Sequence, residues 1–528
     1  MVSKACHQCR SSKRRCDLVR DQQTCEPCAR RSLKCSRSIK SSRSRTLQPA
    51  YQSPTPKQSL RLDDLDESVV DEVVGLYFRH IHDKPHTIFH EKTFRASIAD
   101  KTAPEMNVLA VIGMAARFSS KPDVRALGDR CGLSARSLLK ESLEDISLAN
   151  VQGCILAGNL CGADGDYGGE SLYFGLATCK AQLLHLEVER EGMNEIQRET
   201  ERRVWWSLFM IDRWASAGMG LTPRFGLNCK HPIRPMDELA FQNLDVAQSR
   251  TPRTLYRYGL WSYMVSLVEI FVDIQQFNRT AAETNSGLDA EVGRAQQLID
   301  RLDGYEARLP NDLQWSDENL AGYADNGAGA TFVALHLGFH HYATLLYFQY
   351  LDTQSSNYST DSHWAQRCKH HAAAFSDVLH ASFQHKDSAA VYVIVAHMAT
   401  VSSSVLLHTL LFGEEHELSP ARVRLEHNFE ALCTLQVYWP GVKGMMDRLA
   451  LFHDFCFWSI DEHTHKVDRW MLKFLLQHAS ELQDKPPPIS SPVENGRALR
   501  SSTRGMYTTR MLSGLLENQE SMSHVAPR

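Results

Sequence analysis

The sequence predicts a mostly α protein in two unequal parts, a small cysteine-rich head and a large all-α body. Three observations carry that expectation. Six of the 14 cysteines fall within the first 35 residues. Beyond residue 60 the apolar residues recur at a helical period, with few alternating, strand-like runs. The charge is divided: residues 1–45 hold 13 Lys/Arg against 3 Asp/Glu, a balance of +10, and the remainder carries −14 within a formal total of −4. A basic head on an acidic body is the pattern of a head that meets a polyanion.

At 528 residues the chain is long enough for more than one domain, and its apolar fraction of 43% suits a large buried core. No apolar run of signal-peptide type opens it, so a reducing compartment with free thiols is expected. The expected boundaries are a head over 1–40, a flexible Ser/Pro linker over 41–60, a helical body over 61–484 and a disordered tail over 485–528.

The head cysteines are Cys6, Cys9, Cys16, Cys25, Cys28 and Cys35, spaced C-x2-C-x6-C-x8-C-x2-C-x6-C. Each of the first three recurs 19 residues later, so one C-x2-C-x6-C unit is used twice. A C-x2-C pair presents two thiolates to one ion from a tight turn, and the third ligand returns after a short helical segment. Zinc takes four ligands tetrahedrally, with Zn–S of about 2.3 Å. Two zinc ions on six thiolates require two sulfurs that bridge. A disulfide knot lacks its secretory context here, a [4Fe–4S] ligand set has other spacings, and two independent fingers need eight ligands, whereas His7 is the segment's only histidine.

The segment CHQCRSSKRRCDLVRDQQTCEPCARRSLKC, residues 6–35, resembles the fungal binuclear zinc cluster, the zinc Cys6 DNA-binding domain. The resemblance implies two Zn²⁺, with Cys6 and Cys25 bridging, Cys9 and Cys16 completing one site, and Cys28 and Cys35 the other. The loop DLVRDQQT lacks the proline that the family often has there. It further implies that Lys13 reads base edges in a CGG-type half-site of double-stranded DNA. Arg10, Arg14 and Arg15 are phosphate or base contacts on the same short helix, and Arg30, Arg31 and Lys34 hold the backbone.

Residues 36–59 are serine-rich, with Pro49, Pro54 and Pro56 and no heptads, so no coiled coil is expected between head and body, and a homodimer stays open. Leu62, Leu65, Val69, Val73 and Leu76 form one stripe, read as the first core helix of the body.

In the body, Val204, Leu208, Ile211 and Ala215 share a face, as do Leu172, Leu176, Cys179 and Leu183, and Val292, Ala295, Ile299 and Leu302 before a stop at Pro310. The runs GADGDYGGE and LTPRFG read as loops. Residues 330–351 and 388–412 contain no Asp, Glu, Lys or Arg. Their histidines and serines and the lack of basic flanks favour buried helices over membrane spans. The remaining eight cysteines read as buried small apolar residues. His80, His82, His86 and His90 have partial metal-ligand spacing, but Pro85 breaks the helix that spacing requires. Asp164 and Asp166 lack the later ligands of a calcium loop. No hydrolase, Rossmann, P-loop or zinc-protease motif occurs, so the chain reads as no enzyme.

The phrases LYFRHIHDKPHTIFHEKTF, VLAVIGMAARFS and ERRVWWSLFMIDRWASAGMGLTP, in that order, resemble the middle homology region, the fungal-specific transcription factor domain. The resemblance implies an all-α regulatory domain behind a zinc-stabilised binuclear cluster head. It implies a nuclear, sequence-specific transcription factor at RNA polymerase II promoters, working with transcriptional coregulators and a small-molecule effector. Family habit favours a pathway-specific activator, such as one of a secondary-metabolite gene cluster. A repressor with the same head, or a ligand-binding or enzymatic body, are the alternatives. In the tail, MLSGLLENQE places Leu512, Leu515 and Leu516 on one face, the pattern of an activation segment.

Overall fold

The structure is a computed structural model. The chain divides into two units, Met1–Ser59 and Leu60–Arg528. Described are residues 60–479 except 85, 227–228, 246–256, 284–291, 352–357, 459–468 and 477, together with Thr508, Arg510, Met511 and Gly514. The six head cysteines, Lys13, the head arginines, Lys34, the linker before Leu60 and the tail leucines Leu512, Leu515 and Leu516 lie outside the described residues.

Eight helices make the first half: α1 (Glu67–His80), α2 (Glu91–Ala99), α3 (Glu105–Ala115), α4 (Pro122–Arg125), α5 (Leu127–Glu141), α6 (Leu148–Ala163), α7 (Tyr167–Leu183) and α8 (Glu195–Met219). A short α9 (Glu238–Gln242) leads to the second half. That half comprises α10 (Leu260–Glu283), α11 (Val292–Ala307), α12 (Asp317–Asp325), α13 (Gly329–Tyr347), α14 (Tyr358–Gln384), α15 (Ile394–Phe412), α16 (Glu415–Tyr438), α17 (Val442–Trp458) and α18 (Arg469–Leu476). Among the described residues there is no strand, only two isolated bridges, which agrees with the all-α expectation.

Helices close in sequence pack in pairs, α3 on α5, α6 on α7, α13 on α14 and α15 on α16, as short connections favour. α8 contacts α10, α10 contacts α13, and one hydrophobic cluster runs from Leu60 to Leu475, so both halves share a core. The caps follow from local chemistry. Asn194 and Gln197 form a capping box at the start of α8, and Gly220, at φ 66°, ends it in the left-handed conformation. Where α3 crosses α5, a Cβ on Gly113 would stand 2.9 Å from the Cα of Gly132, so two glycines let the backbones meet.

The charge-free segments are buried helices. Gly329–Leu351 is buried throughout. α15 is long and apolar enough to cross a membrane, but 94% of its apolar window lies inside the protein. A helix apolar on every side needs cover on every side, and here its neighbours supply it.

Several expectations are corrected or refined. Of the stripe Leu172–Leu176–Cys179–Leu183 on α7, Leu172, Cys179 and Leu183 face outward, with Leu172 62% and Leu183 57% exposed, and only Leu176 packs partly against the core; Tyr173, Phe174, Ala177 and Ala181 make the buried face instead. Phe174 lies over Gly158 of α6, where a side chain would collide with its ring. α8 is buried on more than the predicted stripe, since Trp205, Trp206, Arg203 and Asp212 are covered too, whereas Ala215 is only half-buried. GADGDYGGE is mostly helical, with Asp164–Asp166 alone between α6 and α7, and Asp166 caps α7 by accepting the Gly169 N–H at 2.9 Å. Of the eight body cysteines, Cys179 is exposed and Cys229 half-buried; the other six are buried as expected. The stripe of α11 holds, with Ala295, Ile299 and Leu302 buried. α1 is a core helix as expected, but it begins at Glu67, so Leu62 and Leu65 lie ahead of it, and of the predicted stripe only Val73 is fully buried, with Val70, Val74 and Tyr77 completing the dry face and Val69 and Leu76 half-buried beside it. Within the expected tail, Thr508 is buried and Met511 lies against the core.

Candidate functional site

No group of three or more His, Cys, Asp or Glu side chains is placed to hold a metal ion among the described residues. Burial pushes the Cys131 and Cys154 thiols up to about 11, so they stay protonated, whereas a metal ligand must be a thiolate. The head donor set, six thiols in a basic segment, differs in kind and fits zinc by its chemistry.

The histidine-rich phrase is a buried turn. α1 ends at His80, and Asp83 adopts φ 63°. His82, His86 and His90 are buried. The Asn159 amide donates to His86 Nδ1 at 3.2 Å and to the Ile155 carbonyl at 2.9 Å. His86 Nε2 therefore carries the proton and donates to the Tyr77 hydroxyl oxygen at 2.7 Å. Burial pushes His86 down to about 3, so the ring is neutral.

Beside this turn stands Arg203 of α8, 1% exposed. Its guanidinium donates to Glu199 at 2.9 Å, to the Thr87 hydroxyl at 3.1 Å and to the Met236 carbonyl at 2.7 Å. Asp83 lies 3.8 Å away; burial raises its carboxyl, but His82 and Arg203 outweigh that and hold it below the ordinary carboxylate range. Glu199 also accepts the Met236 N–H at 2.9 Å. Glu238 accepts the N–H groups of Leu260 and Trp261 at 2.9 and 3.0 Å, which caps α10. Burial raises Glu238 to about 7, partly offset by Arg203. One guanidinium thus ties α8 to the histidine turn and to the loop ahead of α9.

A second buried carboxylate fastens the other end of α8. Asp212 accepts the N–H groups of Arg224 and Phe225 at 2.8 and 3.0 Å and pairs with Arg213 at 2.8 Å. Arg213 stacks 4.4 Å over Phe209. This is how LTPRFG is held. At a third joint, Arg117 lies 4.5 Å over the Trp439 ring and donates to the Tyr438 carbonyl at 2.9 Å, while Trp439 Nε1 donates to Val391 O at 2.6 Å. The Trp439-Pro440 segment therefore closes onto the end of α3. Charges in these three joints are engaged with one another and with the backbone, and no nucleophile is paired with a base, so they do structural rather than catalytic work.

A cavity with about 300 Å³ of empty space, part of it continuous with solvent, lies between α8, α10, α13 and α15, lined by Trp214, Phe271, Tyr342, His341, His397 and His478 among others. His397 and His478 stack at 4.0 Å, and His341 meets His397 edge-on at 5.3 Å. His478 occupies the space where a Gly218 side chain would be.

The phrases that stood out in the sequence thus converge on one buried scaffold. The Glu199–Arg203 and Asp212–Arg213 pairs were not singled out. Their signal was present, as charges embedded in the aromatic run ERRVWWSLFMIDRW, where a solvated face has no place for them.

Residues 74–257, which hold the histidine turn, Arg203 and Asp212, match the family described as the fungal specific transcription factor domain. The chain is 24% identical over 441 residues to an uncharacterized transcriptional regulatory protein of Schizosaccharomyces pombe, covering 72% of this chain and 52% of that protein. It is 22% identical over 320 residues to a Zn(2)-C6 fungal-type transcription factor of Fusarium oxysporum f. sp. lycopersici, covering 54% of this chain and 34% of that one. The match therefore spans about half the length of the first relative and a third of the second. Both relatives are named as regulators of transcription.

Proposed function

We propose that this chain is a nuclear, sequence-specific DNA-binding transcription factor of the zinc Cys6 type, with residues 61–484 as its regulatory body. One observation carries the reading: a duplicated C-x2-C-x6-C unit stands ahead of a body that matches the fungal specific transcription factor domain. Cys6, Cys9, Cys16, Cys25, Cys28 and Cys35 hold two zinc ions, which supply folding energy to the head and no chemistry, since every ligand position is filled by sulfur. Lys13 reads bases on a CGG-type half-site, Arg10, Arg14 and Arg15 meet phosphates or bases, and Arg30, Arg31 and Lys34 hold the DNA backbone. Activation rather than repression is supported by the apolar face of Leu512, Leu515 and Leu516, and family habit supports a single pathway as the target.

The test is binding of the full chain to a duplex carrying a CGG half-site and to a scrambled duplex. Binding that falls away with a zinc chelator, and in Cys16→Ser, while the helical signal of the body stays unchanged, is the expected result. Undiminished binding without metal would remove the proposal. Chromatin occupancy of the tagged protein, with Cys16→Ser as control, then separates a single-locus regulator from a broad one.

A further inference from the structure

The outward face of α7 is the largest surviving misfit between sequence and fold. Leu172, Cys179 and Leu183 are exposed and Leu176, half-buried with one side against the core, lies between them, at spacings of four, three and four, the seam spacing of a coiled coil. Leu143, 46% exposed, and Ile146, 47% exposed, belong to the loop that Lys180 of α7 fastens through the carbonyls of Leu143 and Asp145, the latter at 2.9 Å. The two charged residues of α7 are not on this face: Lys180 is buried, and the Glu170 carboxylate lies against Gly162.

We propose that this face is where two copies of the chain meet, as an antiparallel pair of α7 helices. The spacing is self-complementary. About a twofold axis between residues 177 and 178, Leu172 of one copy meets Leu183 of the other, and Leu176 meets Cys179, as an isologous contact requires. Along α7 itself no like charges are brought together, and each positive helix N-terminus comes beside a negative C-terminus. Covering the six residues on each copy removes on the order of 1,000 Å² from water across the pair, the lower bound for a specific interface. The dimer is therefore weak and concentration-dependent. The inference rests on the body alone and is independent of the DNA-binding reading.

The test is sedimentation of the full chain from submicromolar to tens of micromolar, with disulfide trapping. The expected mass rises towards twice that of one chain, and Leu172→Glu and Leu183→Glu each abolish the rise without changing helicity. Leu172→Ala, a milder change, weakens it. Under mild oxidation Leu176→Cys gives a reducible dimer in severalfold higher yield than the unaltered chain, with the linked peptides joining position 176 to Cys179. Val423→Cys, at another exposed site, gives none of this gain. A monomer at every concentration, a dimer indifferent to both glutamates, or equal trapping by Val423→Cys would each overturn the proposal.

Discussion

Arg203 and Glu199 form an ion pair at 2.9 Å one helical turn apart, and neither side chain reaches solvent. A pair like this is costly to break from one side, because the survivor is a buried charge. Glu199 also pairs with buried Arg202, so Arg203→Met is expected to cost about 3 kcal/mol, and Glu199→Gln at least as much, because it takes the carboxylate from two buried guanidinium groups. Chemical denaturation of the full chain reads this. A loss below 1 kcal/mol for Arg203→Met would mean that the guanidinium is solvated in solution.

The glycine crossing between α3 and α5 predicts a contrast. Gly113→Ala places a methyl 2.9 Å from the backbone of Gly132, which cannot yield as a side chain can, and should cost about 1–3 kcal/mol or more. Gly322 lies exposed within α12 with nothing near its missing Cβ, so Gly322→Ala should stabilise by up to ~1 kcal/mol through helix propensity. Equal effects at the two sites would contradict the close crossing.

Buried neutral histidines make the body acid-labile. Burial is the main cause that pushes His86, His341 and His371 down to about 3 and His336 to about 4. Above pH 6.5 these rings are neutral both folded and unfolded, and nothing is lost. Below it the unfolded chain takes up protons that the folded chain refuses, so each ring costs up to ~1.4 kcal/mol per pH unit until its folded pKa is reached. The urea midpoint should fall steeply from pH 6.5 towards 4, and His86→Asn should flatten that slope. A midpoint constant between pH 7 and 5 would show that the rings are solvated.

Lys13→Ala tests base reading. It should weaken binding to the preferred site by about 1–3 kcal/mol and leave random-sequence binding nearly unchanged. Equal losses on both duplexes in a titration at fixed salt would assign Lys13 to the phosphates.

Sequence periodicity succeeded where a helix has one wet and one dry side. α11 is such a helix, and Ala295, Ile299 and Leu302 were placed correctly. It failed on α7, because that helix is apolar on two faces. The large leucines marked one stripe, yet the core took the face with Phe174, Ala177 and Ala181, where the Phe174 ring lies against α6 at Gly158. The i, i+4 pair Glu199–Arg203 was visible too, but in isolation such a pair is what an exposed helix face carries.

By itself the sequence determined the cysteine repeat of the head with its basic surround, the helical class of the body, and the protein-interior origin of the charge-free segments. These depend on spacing and composition within one stretch of chain. The tertiary structure alone decided which face of α7 is dry, that Arg203 and Asp212 are clamps, and that Trp439 locks against Arg117 more than 300 residues away in sequence. Burial is a property of the neighbours that a segment acquires, and long-range neighbours are not written in its own period.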